Sequence, residues 1–178
     1  MPNKVHTVVT FTGSPEDFRR ACLVRAQRKD PILSRGFEFT LSAEGTAAFF
    51  LSAWSPDIEL AWVLSCLLPC HAVEIQWLEP INCDEGVAIL LAGELIKIRY
   101  RAGDEIKEWS RVTKTIRTSR VICEDQNIAP HGAYTEQVIS EAPAPDLSIA
   151  DVIPDCEPLD IRLIDESSSW SDETGCSL

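Results

Sequence analysis

The chain has 178 residues, of which 45% are hydrophobic, which is enough to bury one sizeable core but not two separate ones. Its net charge of -12 is uneven, because residues 141–178 carry ten acidic side chains and one arginine, whereas residues 1–140 carry 18 acidic and 15 basic ones. No apolar run approaches the roughly 20 residues of a membrane helix, so the sequence predicts a protein without a membrane span.

Seven cysteines raise the question of a disulfide framework. Their odd number and irregular spacing argue against one, and residues 1–6 lack the apolar stretch of an export signal. We therefore expect a soluble protein of the cytoplasm, in which most cysteines are reduced and serve as small core residues.

The N-terminal half alternates short apolar segments with two amphipathic ones. Ser14-Pro15-Glu16-Asp17 supplies an N-cap, a proline in the first helical position and acidic residues for the first turn. Ser55-Pro56-Asp57 repeats this chemistry, and Pro69 ends the second helical segment. We predict helices at 15–29 and 56–68, and strands at 5–11, 37–41, 46–54 and 73–77.

The C-terminal half begins with further strands, at 87–92 and 96–101, and the turn residues Ala102-Gly103-Asp104 then predict a hairpin that continues over 105–112. Residues 113–123 fit a strand or a helix, and their threonines and β-branched residues favour a strand. From about residue 141, prolines, serines and acidic residues predict a tail that buries too little apolar surface to fold alone. Its apolar segments, 147–153 and 159–164, are either docking elements or parts of a spacer.

This element order predicts an α+β fold, with a ferredoxin-like βαββαβ core, an antiparallel sheet and an additional C-terminal β-hairpin. We divide the chain into a domain at 1–130, which includes the hairpin, and an acidic, largely irregular tail at 131–178. The side chains predicted to form the core are Phe11, Phe18, Phe39, Phe50, Trp54, Trp62, Ile75, Trp77 and Ile98.

The aromatic strand that ends in Ala53-Trp54-Ser55-Pro56 and leads into a helix resembles the YubB-type ferredoxin-like domain family of bacterial plasmids and phages. Phe11-Thr12-Gly13 before the first helix, and Glu79-Pro80 followed by Gly86, are also similar to that family. The resemblance covers roughly residues 5–101. Asp57 stands where the family usually has a second proline, and the family's usual Asn and Trp near the start are missing. The resemblance implies an accessory protein of a mobile element, where evasion of host defence is a common role, and it carries over no settled activity.

Catalytic and metal chemistry has weak support in the sequence. Cys66, Cys70 and His71 lie close together, but a zinc site would need a further ligand such as Cys83 or Cys123, and no Cys-x2-Cys pair exists. His6 and His131 stand in no recognisable frame with a nucleophile, and phosphate-binding glycine loops are absent. We predict a non-enzymatic protein with no catalytic residues, no bound metal and no cofactor.

Eight basic residues are concentrated between 97 and 120, where only three acidic residues oppose them. On a hairpin, alternate basic residues would share one face and could contact phosphates, or that face could simply be solvated. The candidate binding residues are Lys97, Arg99, Arg101, Lys107, Arg111, Lys114, Arg117 and Arg120, together with Trp109.

Acidic residues provide the second set of candidates, because carboxylates can stand in for phosphates before a DNA-binding partner. They are Asp84, Glu85, Asp151, Asp155, Glu157, Asp160, Asp165 and Glu166. The leading hypothesis is an interaction protein of a mobile element, whose partner is a host or mobile-element protein. Inhibition of a host defence factor is one role that fits this hypothesis. The alternative is a nucleic-acid-binding module that uses the basic hairpin 97–120.

Overall fold

The computed structural model describes residues 4–28, 39–53, 55–82, 84–122, 135–145 and 147–152. Within them, one antiparallel sheet of nine strands runs in the order β2-β3-β1-β4-β5-β6-β7-β8-β9. The strands are β1 Lys4–Thr10, β2 Phe39–Leu41, β3 Ala47–Ala53, β4 Val73–Glu79, β5 Asp84–Leu91, β6 Glu94–Ala102, β7 Glu105–Ser110, β8 Thr115–Ile122 and β9 Thr135–Pro143. The helices are α1 Pro15–Arg28 and α2 Ile58–Leu67, and a 3-10 turn follows at Ile149–Asp151.

The predicted fold class is wrong. The chain is mostly one nine-stranded antiparallel sheet with two helices, and not a ferredoxin-like α+β core with an added hairpin. The prediction failed because β5 to β9 continue the same sheet as a meander, so that most strands lie outside the expected βαββαβ unit. Residues 131–178, assigned to an irregular tail, contain the nine-residue strand β9.

Helix α1 begins at the predicted residue, Pro15, whereas α2 begins at Ile58, two residues after the predicted start at Pro56. At α1, the backbone N–H of Asp17 donates to Ser14 Oγ at 3.2 Å, and Ser14 N–H donates back to the Asp17 carboxylate at 2.7 Å. This reciprocal pair is a capping box. At α2, the N-cap is Asp57, whose carboxylate accepts from Leu60 N–H at 3.2 Å. Asp57 also pairs with Arg25, which joins the two helices.

Both helices pack on one side of the sheet, which we call the helix face. Phe18 of α1 and Leu60 of α2 are fully buried against strand residues such as Val9 and Ile75. The core prediction is confirmed for six buried side chains, while Phe39 and Trp77 are partly buried and pack against the core. Trp54 lies outside the described residues. The six buried ones are Phe11, Phe18, Phe50, Trp62, Ile75 and Ile98.

The helix face near β7 and β8 is covered by a C-terminal strap, which we define as residues 144–145 and 147–152. Leu147, Ile149 and Val152 pack against the core there, and the indole N–H of Trp109 donates to Pro145 O at 3.2 Å. The first predicted apolar segment of the tail therefore docks on the sheet. The second segment, 159–164, lies outside the described residues.

The opposite side of the sheet, the open face, differs between its two halves. Register shifts at Ile89/Leu90 and Thr118/Ser119 mark irregularities of the bulge type, which increase local twist. The C-terminal half curls so far that Arg99 of β6 forms an ion pair with Glu136 of β9. Ile106 and Val121 are consequently buried on the open face, although neither of the two described helices covers them.

Candidate interaction face

The N-terminal half of the open face carries an apolar patch that crosses four strands. In one row of paired residues, Phe49 of β3 neighbours Val8 of β1, and Val8 neighbours Gln76 of β4. In the next row, Leu51 neighbours His6, and His6 neighbours Leu78. We define the apolar patch as Val8, Phe49, Leu51, Leu78 and Val87.

These positions are open to solvent, since neither helix packs on this side. Phe49 is 46% exposed and Leu51 is 47% exposed, while Val8, Leu78 and Val87 are half-buried. A groove of about 740 Å³ is lined by three patch residues, Val8, Leu78 and Val87, and by His6 and Gln76, whereas Phe49 and Leu51 lie outside its lining. Large exposed apolar side chains that lie next to each other are typical of a binding surface.

The sequence carries a signal for this patch within the predicted strand at 46–54. Residues 47–51 are apolar throughout, so both faces of β3 are apolar. Phe50 lies in the core, and its neighbours in sequence must therefore point to the other side. His6, which lies in the middle of the first predicted strand, is exposed on the same face.

Two carboxylates flank the apolar patch. Glu74 accepts a hydrogen bond from the Gln76 side chain at 2.6 Å, and Glu85 pairs in register with Leu78. Glu85 also lies 3.8 Å from the Arg101 guanidinium. The predicted pair Asp84 and Glu85 is therefore divided between the two faces, because neighbouring strand residues point in opposite directions.

The basic residues of β6 do share one face, as their alternation predicts. Lys97, Arg99 and Arg101 lie side by side on the open face, and Arg117 of β8 lies on the same side. Each has a carboxylate partner: Lys97 with Glu108 at 2.7 Å, Arg99 with Glu136, Arg101 with Glu85, and Arg117 with Glu141 at 3.0 Å. Phosphates would have to compete with these partners.

The other basic candidates are dispersed. Lys107, Trp109 and Arg120 lie on the helix face, and Arg111 and Lys114 lie in the turn between β7 and β8. Lys107 pairs with Glu105 at 3.1 Å, and this hydrogen bond raises the pKa of Lys107. Arg111 pairs with Glu94, and Arg120 lies 3.7 Å from Asp104.

Of the acidic candidates in the tail, the structure describes Asp151. Its carboxylate accepts from the backbone N–H and the hydroxyl of Ser148, and these hydrogen bonds lower the pKa of Asp151. It therefore caps the 3-10 turn of the strap. The remaining acidic candidates, Asp155, Glu157, Asp160, Asp165 and Glu166, lie outside the described residues, as do Cys83, Cys123 and His131.

A second concave site, which we call the end pocket, lies on the helix side beyond the N-terminus of α2. It has a volume of about 400 Å³. Trp77 and Tyr100 contribute aromatic rings, Glu79 and Asp84 contribute carboxylates, and Pro56 and Ala102 contribute apolar surface.

The cysteine cluster in the sequence is dispersed around the end of α2. Cys66 is half-buried on the helix, Cys70 is exposed in the following turn, and both are free thiols. In the ranges that the structure describes, no three His, Cys, Asp or Glu side chains come together to hold a metal ion.

Comparisons with family models, with curated proteins and with solved structures each found no match. Among the helices of the described residues, none is long and apolar enough to span a bilayer.

Proposed function

We propose that the chain is a non-enzymatic interaction protein whose apolar patch binds an amphipathic segment of a partner protein with basic residues. The observation that carries this proposal is the pair Phe49 and Leu51, each nearly half exposed on a sheet face that neither described helix covers. Burying such side chains is worth roughly 25 cal/mol per Å² of apolar surface. Contact with a partner would therefore lower the free energy of the patch relative to its exposure to water.

The charges next to the patch support a basic partner. Glu74 flanks it without an ion pair to a described cation, and the chain as a whole carries -12. A net negative field attracts cationic segments and raises their encounter rate. The free thiols of Cys22, Cys66 and Cys70 are consistent with a reducing compartment, and we propose the cytoplasm.

The ion pairs of the basic stripe favour this function over nucleic-acid binding. Lys97, Arg99 and Arg101 each face a carboxylate, so they offer phosphates little uncompensated charge. Origin in a mobile element and a role against host defence rest on the resemblance around 53–56, and they stay predictions.

Titration with short peptides tests the proposal. A peptide of alternating valine and lysine should bind, while its valine and glutamate counterpart should not, and calorimetry at low ionic strength measures both. Replacing Phe49 and Leu51 together by Asp should weaken binding at least about tenfold, because the anchors of an interface dominate its affinity.

Val112→Asp is the matched control, since Val112 is 79% exposed in the turn between β7 and β8. It should bind the lysine peptide as the wild type does. Equal binding of both peptides, or full affinity in the double variant, would overturn the proposal. Concentration-dependent dimerisation that only the double variant abolishes would instead assign the patch to a second copy of this chain.

A further inference from the structure

The end pocket holds negative charge that the described residues leave uncompensated. Glu79 of β4 and Asp84 of β5 are directly paired residues, so their side chains share the helix face. Like charges at directly opposed positions destabilise a sheet. Such a pair persists in a fold when something else compensates it.

The two carboxylates differ in their surroundings. Glu79 is 4% exposed, and its oxygens accept from Ile81 N–H at 3.0 Å and Asn82 N–H at 2.8 Å, so it organises the turn between β4 and β5. Asp84 is half-buried, and no hydrogen bond or ion pair joins its carboxylate to another residue that the structure describes. Asp84 is thus the acceptor that is open to a ligand.

The nearest cation does not cancel this charge. The Arg101 Nε donates to Gly103 O at 2.8 Å, and Nη1 lies 3.8 Å from Glu85. Arg101 itself lines the end pocket, so the lining holds two carboxylates, Glu79 and Asp84, and one guanidinium, and it remains negative by one charge.

Aromatic rings supply the second half of the site. Trp77 and Tyr100 stand on either side of Gly86 in the same row of the sheet, and both line the pocket. A Cβ at Gly86 would lie 2.1 Å from Trp77 Cζ2, so the indole ring covers the glycine. Aromatic faces beside carboxylates are the surroundings that organic cations prefer.

We infer that the end pocket binds a compact organic cation, an alkylammonium or guanidinium group on an aliphatic stem. Asp84 pairs with the cationic group, Trp77 and Tyr100 flank it, and Pro56 and Ala102 contact the stem. The source of the group is either a free polyamine or a basic side chain of a peptide. None of the five residues of the apolar patch lines the end pocket, although Trp77 lines both the pocket and the groove beside the patch. The Asp84→Asn variant therefore tests this site independently of the proposed function.

Calorimetry with three probes tests the inference. Spermidine represents a polyamine, N-acetyl-lysine methylamide represents a peptide side chain, and N-acetyl-norleucine methylamide is the neutral counterpart of the lysine probe. At least one cationic probe should bind with a stoichiometry of one, and the neutral probe should not. Binding of spermidine alone assigns a free polyamine, whereas binding of the lysine probe assigns a peptide side chain.

Asp84→Asn removes the charge and keeps the shape of the side chain, so it should weaken cation binding at least about tenfold. Tyr100→Leu should weaken it about two- to fivefold through the lost aromatic face. Asp104→Asn is the matched control, since Asp104 is an exposed carboxylate outside the pocket. Failure of both cations to bind, equal binding of the neutral probe, or unchanged affinity in Asp84→Asn would overturn the inference.

Discussion

Cys22 shows how a single position on α1 acquires its chemistry from its neighbours. Burial raises the pKa of its thiol to about 12, and the carboxylate of Asp57 acts in the same direction, while Arg25 opposes them. The thiolate is therefore disfavoured in the folded chain. Cys70, by contrast, is exposed to solvent.

The raised pKa of Cys22 predicts a pH dependence of stability. Its ordinary value is 9.0, so above that pH the unfolded chain loses the thiol proton while the folded chain keeps it. Stability from this residue is fully present below pH 9.0 and declines as pH rises toward the folded pKa. Urea unfolding of the wild type and of Cys22→Ala from neutral to alkaline pH should show the wild type losing more stability. A constant difference between the two would contradict the burial of this thiol.

At the scale of elements, β7 connects the sheet to the strap. Trp109 is 3% exposed, lies beside Ile98 and Ile116 on the helix face, and donates its indole N–H to Pro145 O. The strap thus covers part of the sheet that the two helices do not reach. Residues 144–152 behave as part of the fold, not as a spacer.

Trp109→Phe should cost about 1–2 kcal/mol of unfolding free energy, from the lost hydrogen bond and the smaller ring. Denaturant unfolding measures this cost. Tyr100→Phe is the control, because Tyr100 is 37% exposed on the same face and should change stability by less than about 0.5 kcal/mol. Equal stability of the two variants would show that the strap contributes nothing through Trp109.

Local patterns in the sequence were sufficient for most elements. Alternation predicted β1 and β6, and Ser14-Pro15 marked the start of α1, while the start predicted for α2 at Pro56 was two residues early. Strand β9 was missed because its apolar residues Val138 and Ile139 are adjacent and do not alternate. Its pairing with β8 defines it as a strand, and such pairing is a long-range contact that local periodicity does not encode.

The dependence on long-range pairing also explains which predictions about the candidate sites were correct. Alternation placed Lys97, Arg99 and Arg101 on one face correctly, but Glu136, the partner of Arg99, comes from β9 and lies far away in sequence. The apolar patch was recoverable in part, from the unbroken apolar run at 47–51. The pairing of Glu79 with Asp84 depends on strand register, which local sequence patterns do not encode.

At the scale of the whole molecule, the open face of the sheet has two halves that differ in structure. The C-terminal half curls and closes over Ile106 and Val121 with ion pairs along its surface. The N-terminal half keeps Phe49 and Leu51 exposed opposite the helices. We therefore propose that the N-terminal half of the open face binds a partner and that the curled half has structural roles.

Mapping amide chemical shifts by NMR during titration with the valine–lysine peptide tests this assignment most directly. We predict that the perturbed amides lie in β1, β3, β4 and β5, with the largest chemical-shift changes around Val8, Phe49 and Leu51. Amides of β7, β8 and the turn between them should remain unchanged and serve as the internal control. Perturbations centred on the ion-paired residues of β6 to β9, or on the helices, would contradict the assignment.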